Sequence, residues 1–281
     1  MPPGVPQGEK VLYEHDSVYH HILVSEDAEA RYLRFGYGRL QGAMTLADPV
    51  ALRVNYTAYL VAGLAFGTPR QVLMVGLAGG ALPRFVRAFR PEVEIDAVEI
   101  DPEVVAVTRR FFGAEEGPDY RIHAADGRIY VRRTGRRYDW VILDAFDADT
   151  VPFHLTTVEF LNEVKAILRP GGVVTANVAR LGPGILYRSM IRTFTVCFPQ
   201  VYLFPVPNRG NIVVVATLEE RRRGGEEIAA SIRALKQEAG RALDLLEVTG
   251  PLLEEKPVVA DAPILTDDYA PVDLLRYREG L

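Results

Sequence analysis

The 281-residue chain has a single cysteine, Cys197, so no disulfide can form within it, and a reducing compartment suits it. Cys197 sits in the apolar pattern IRTFTVCF and is expected to be a core thiol rather than a nucleophile. Long apolar runs are also missing. The longest, YTAYLVAGLAFG (56–67), falls short of the ~20 residues that cross a bilayer. The start, MPPGVPQGEK, lacks an apolar signal segment and reads as a loose tail, so a cytoplasmic protein with no membrane partner is expected. An excess of basic residues is absent too. The net charge of -5 argues against nucleic acid as a partner, and RRTGRR (132–137) and RRR (221–223) read as solvated surface. His15, His20, His21, His123 and His154 are scattered without zinc-type spacing, so no metal is expected. No repeat or low-complexity tract occurs.

What the chain does contain is ordinary globular composition, 48% apolar and 25% charged, arranged in two patterns. From Lys10 to about Met44, strand-like pieces separated by turn residues predict a small antiparallel sheet of hairpins. The stretch 48–67 then reads as a mostly buried helix with Asp48 as N-cap and Pro49 at its first position. Beyond it, apolar strands at 72–76, 93–100, 120–124, 140–144 and 172–178 alternate with helical stretches at 81–89, 102–112, 127–133 and 157–168. That alternation predicts an open parallel sheet covered on both faces, closed at one edge by a hairpin of 201–206 and 211–216. The expected division is a β-hairpin domain over 1–47 and a Rossmann-like domain over 48–281. An amphipathic helix over 226–248 covers the sheet or meets another subunit.

In an open parallel sheet, ligands bind beyond the carboxyl ends of the strands. The first strand delivers GLAGGAL (76–82), where Gly76, Ala78, Gly79 and Gly80 allow close backbone approach and a helix opens. The second delivers Glu99, 23 residues after Gly76, where a carboxylate can accept bonds from both hydroxyls of a ribose, with Ile100 beside it. Asp101 precedes Pro102 and is expected to be the cap of the next helix. The third strand leads to Asp126–Gly127, a cap or turn pair, or an acid that meets an adenine amino group. The fourth presents Asp144, with Asp147 three residues on. The spacing GLAGGA lacks the glycines of a dinucleotide fingerprint, whereas an adenosyl sulfonium has no pyrophosphate to cradle.

These segments resemble the spermidine synthase (polyamine aminopropyltransferase) family. The resemblance runs from YHHILV (19–24) through VLMVGLAGGALPRF (72–85), VEIDPEVV (98–105), ADGRIYV (125–131) and YDWVILDAFDAD (138–149) to LTDDYAPVDLL (265–275). It implies the Rossmann-like sheet of class I S-adenosylmethionine-dependent transferases preceded by a small antiparallel β-domain. It implies decarboxylated S-adenosylmethionine as donor of an aminopropyl group to a small-molecule amine, and a homodimer or homotetramer. Glu99 would hold the ribose and Asp126 contact adenine, and His20 stands where many members have a cofactor-binding glutamine. Asp144 would accept the amine's proton and Asp147 bind an amine, with Tyr19, Tyr56 and His154 as pocket walls. Three places differ from the family pattern: Gly79 replaces an acid that binds the donor's amine, VNY (54–56) replaces Y-H-E or Y-Q-E, and TVPFHL (150–155) replaces a segment containing G-P-A. Two other readings follow from the same residues: a methyltransferase using intact S-adenosylmethionine, since Gly79 places no negative charge against a donor carboxylate, and a non-catalytic nucleoside-binding protein.

Overall fold

The computed structural model describes residues 5–36, 38–145, 152–179, 184–207, 210–248, 259–272 and 275. Strands β1 (Lys10–Asp16), β2 (His21–Glu26), β3 (Ala30–Phe35) and β4 (Arg39–Thr45) pair antiparallel in chain order as a four-stranded sheet. Ile22, Val24 and Leu33 from this sheet bury against Val104, Val107 and Phe112 of helix α3 (Pro102–Phe112), which fastens it to the larger sheet.

Seven strands form that larger sheet: β5 (Gln71–Val75), β6 (Glu94–Glu99), β7 (Tyr120–Ala124), β8 (Tyr138–Leu143), β9 (Leu168–Ala179), β10 (Gln200–Pro205) and β11 (Asn211–Thr217). Their order is β10-β11-β9-β8-β5-β6-β7, with β7 to β9 parallel through β5, and β11 and β10 antiparallel at one edge. The chain leaves β5 toward β6 on one side and later returns to β8 on the other, so β5 and β8 flank the switch point where such sheets open a crevice.

Strand residues alternate between two cores, as the two-residue period requires. Val72, Met74, Trp140, Ile142 and Val213 face one layer, and Leu73, Val75, Val141, Leu143 and Val214 face the other. Burial on both faces explains why the strands read as continuous apolar runs. Helices α2 (Ala81–Phe89) and α7 (Gly225–Ala239) cover the first face. Helices α4 (Gly127–Arg133), α5 (Val158–Ala166) and α6 (Ile185–Cys197) cover the second. The 226–248 stretch therefore serves the sheet: Ile228, Ile232, Leu243 and Leu246 are in the core, and the helix gives way to a 3-10 turn at Gly240. Cys197 is buried, and burial pushes its thiol up to about 11, as a core thiol should be.

The expected helix over 48–67 needs correction. Helix α1 spans only Asn55–Leu60 and continues as a 3-10 segment, Val61–Ala65, with Val54 as an N-cap that makes no side-chain bond. Asp48 instead closes a turn, its carboxylate accepting from the Val50 amide at 3.3 Å and its carbonyl from Ala51 at 3.1 Å. The Leu52 amide is engaged by the Ala242 carbonyl, 3.1 Å away, and is therefore withdrawn from any helical ladder. Among the described residues no helix is long and apolar enough to cross a membrane.

Candidate active site

Beyond the carboxyl ends of β5, β6 and β8 lies a cavity of about 270 Å³. It is floored by Gly76, Leu77 and Ala78 from the turn after β5, with Glu99 and Ile100 from β6, Asp126 and Gly127 from the β7–α4 junction, and Asp144 from β8. Tyr19, His20, Phe35 and Gln41 of the small sheet supply one wall, and Pro152, His154 and Leu155 another.

The turn after β5 depends on its own residues' lack of bulk. Gly76 has φ +93°, and a Cβ there would lie 2.3 Å from the Asp144 carbonyl oxygen, so only glycine lets β5 and β8 end side by side. Ala78 holds φ +45°, an uncommon conformation for a residue with a side chain, and its carbonyl accepts the Thr108 hydroxyl. The Leu77 amide donates to Glu99 Oε2 at 3.0 Å and the Asp101 amide to Oε1 at 3.2 Å. The glycine turn and the β6 carboxylate thus hold each other in place. Burial still raises the Glu99 carboxyl above its ordinary range, against the pull of these amides.

Asp144 is the second buried acid. Among the described residues its side chain receives one hydrogen bond, from Asn177 Nδ2 to Oδ1 at 3.0 Å. Burial pushes its carboxyl up to about 7, opposed by the Asn177 bond and assisted by the negative charge of Glu99. A carboxyl so poised can exchange a proton at neutral pH, as a general base must.

Asp126 is the N-cap of α4, accepting from the Ile129 amide at 2.8 Å, and its other oxygen lies 3.0 Å from His154 Nε2. His154 thereby ties its wall to the floor. Its segment is held from below by buried Arg128, which donates to the His154 carbonyl at 3.1 Å and pairs with Glu163 and Asp267. Those carboxylates raise the guanidinium's pKa above its ordinary value. Asp267 belongs to the LTDD stretch, which places that C-terminal motif beneath the cavity wall rather than in the cavity.

His20 stacks on Phe35 with ring centroids 4.0 Å apart, and the neighbouring His21 turns away toward Asp16 and Glu14. The turn that carries Tyr19 and His20 is stitched to the larger sheet by Ser17. Its hydroxyl accepts from the His20 amide at 2.8 Å and donates to Asp101, which caps α3 as its sequence context predicts.

Tyr56 and Gly79 do not line the main cavity. They face a side chamber of about 10 Å³ that shares Gln41, Leu77, Ala78 and Asp144 with it. Gly80, expected at the ligand, lies behind the turn: it caps α2 in a left-handed conformation, and a Cβ there would meet Thr108. Asp147 falls outside the described residues. Phe35, Gln41, Asn177 and Leu155 escape sequence reasoning. Asn177 alone leaves a trace, an amide in the mostly apolar GVVTANV.

Comparison with known proteins adds to this geometry. A model of the spermine/spermidine synthase domain matches residues 56–221. The polyamine aminopropyltransferase of Vibrio vulnificus (strain CMCP6) is 32% identical over 95% of this chain and 91% of its own length. The crystal structure of human methyltransferase-like protein 13 in complex with SAH is 29% identical with a TM-score of 0.61, covering 66% of this chain and 92% of that one. A probable spermidine synthase from Corynebacterium glutamicum ATCC 13032 shares the fold, with a TM-score of 0.67 at 18% identity over 89% of this chain and 99% of its own. With the matched domain spanning well over half its length, and its strand-end acids and glycine turn around one cavity, the chain belongs to the spermine/spermidine synthase family.

Proposed function

We propose that this protein is a polyamine aminopropyltransferase that moves an aminopropyl group from decarboxylated S-adenosylmethionine to a small amine. The observation that carries the reading is the convergence of Glu99, Asp144 and the Gly76–Ala78 turn on one cavity at the sheet's switch point. The nucleoside lies along the turn, with its ribose on Glu99, its base between Ile100 and Asp126–Gly127, and His20 closing over it. The acceptor amine has an ordinary pKa of about 10 and is protonated at neutral pH. Asp144 orients it and takes its proton as the nitrogen lone pair forms the new C–N bond. The C–S bond breaks, and sulfur keeps the electron pair as a neutral thioether. Asp147, together with Tyr19, Tyr56 and His154, bounds the acceptor. The division at residue 47, a cytoplasmic location and a homodimer or homotetramer complete the proposal.

One observation favours a second reading, methyl transfer from intact S-adenosylmethionine: Gly79 offers no carboxylate to the donor's amine, and the human methyltransferase is similar over most of its solved chain. Incubating the protein with each donor and a panel of amines, followed by mass spectrometry, separates the two. An added aminopropyl mass is expected from the decarboxylated donor. An added methyl mass from the intact donor alone would replace the proposal with the second reading.

A further inference from the structure

We propose that Asn177 is a positioning residue for Asp144 and is itself oriented by Asn211, so that a ladder of two amides across β9 and β11 holds one carboxylate oxygen and leaves the other for the amine. The role assigned to the freed oxygen rests on the function proposed above, whereas the ladder does not.

Asn177 is 4% exposed, in a strand whose neighbours Val174, Ala176 and Val178 are apolar and fully buried. An amide in such a place is costly unless both its ends are paired. Both are: Nδ2 donates to Asp144 Oδ1 at 3.0 Å, and Oδ1 accepts from Asn211 Nδ2 at 2.9 Å. Asn211 lies two residues along β11 from Val213, the cross-strand partner of Asn177, which is the diagonal spacing at which side chains still meet.

Asn177 could flip its amide end for end. A flip would set its carbonyl oxygen against the Asp144 carboxylate, acceptor facing acceptor, and turn its NH₂ toward the Asn211 donor. The Asn211 bond therefore penalises the wrong orientation. Among the described residues, Asn177 is the only hydrogen-bond partner of the Asp144 side chain, so the ladder restrains that carboxylate's rotation. It also favours the ionised form, against burial and against Glu99. The other titratable side chains at the cavity face elsewhere: His20 is set against Glu99, and His154 is paired with Asp126.

The test is a carboxyl ¹³C NMR titration of the full chain labelled at aspartate, with Asp144→Asn identifying the signal, run beside the pH profile of turnover. Asn177→Leu keeps the number and branching of side-chain heavy atoms and removes the donor. It is expected to raise the Asp144 midpoint by about one unit, the size of one hydrogen bond to a charged group. Asn211→Ala, at the outer end of the ladder, is expected to move the midpoint less, in the same direction, and serves should the first variant fold poorly. The acid limb of turnover should follow the midpoint in both. A lowered melting temperature with an unmoved midpoint would overturn the ladder by reducing Asn177 to packing, whether or not product forms. A moved midpoint with a stationary acid limb would leave the ladder standing and remove Asp144 as proton acceptor.

Discussion

The two halves of the cavity are built by different means. On the side where the proposed nucleoside would lie, main-chain groups do the holding: the amides of Leu77 and Asp101 fix Glu99, and the Ile129 amide fixes one oxygen of Asp126. On the side where the proposed acceptor would lie, Asp144 depends on a side-chain amide from another strand. Backbone amides are fixed wherever the fold is fixed, so the first half is rigid by construction. Side chains reached across a sheet can be exchanged without disturbing the strands, so the second half is where one fold can change its acceptor.

The largest effect that tests this contrast comes from a pair of variants. Asp144→Asn should lower kcat by about 10²–10⁴-fold while changing donor affinity only a few-fold, because the Asn177 bond can still be accepted. Glu99→Gln should instead weaken donor binding by roughly tenfold, since one amide donor is left facing an NH₂ group. Calorimetry with steady-state kinetics reads both. Equal effects on kcat and on binding in the two variants would erase the distinction between the halves.

A smaller effect addresses the donor. Gly79 needs no left-handed backbone, and a Cβ there would make ordinary contact with the Phe112 ring at 3.4 Å. Gly79→Asp should therefore fold and shift preference toward the decarboxylated donor by about tenfold, through a charge-assisted bond to its amine and repulsion of the intact donor's carboxylate. Competition between the donors measures the ratio, and an unchanged ratio would place the amine elsewhere.

The smallest effect is on stability. Burial pushes the Asp144 carboxyl up to about 7 in the folded chain, against an ordinary value of 3.8 when unfolded, so between these values the native chain holds a proton that the unfolded chain has released. Its contribution to stability is complete below about 4 and is lost as pH rises through 7. Carboxylates such as Glu94, held down at about 2 chiefly by Arg136, work in the opposite sense. The comparison is therefore made between parent and Asp144→Asn: the variant should gain on the parent in melting temperature from pH 4.5 to 8. A constant difference would mean that the carboxyl is not raised.

The same contrast governs what can be read from the chain. Glu99, Asp126 and Asp144 are legible because each follows an apolar strand, and an open sheet puts all strand ends at one rim. The boundaries of α3 and α4 are legible for similar reasons: Asp101 and Asp126 cap as their positions suggest. Asn177, Gln41 and Phe35 are not, since their importance lies in what they face across a sheet or between sheets, and periodicity carries no such pairing. The segment 48–54 deceives because Asp-Pro before an apolar run is a sound helix start, and tertiary pairing of Leu52 with Ala242 overrides it. Gly80 misleads in another way, since a glycine needed by the helix start is indistinguishable in sequence from one that admits a ligand.

A Cβ on Gly42 of β4 would lie 3.0 Å from the Gly79 nitrogen, so the small sheet rests directly on the turn after β5. Backbones with no room for a methyl group between them restrain one another. Swelling at position 42, by a single methyl group, would push on the loop beneath it and be felt as a misshapen floor some residues away. The smaller sheet is therefore less a separate module than a press that sets the depth of the cleft, and exchanging it between relatives should carry that depth along with it.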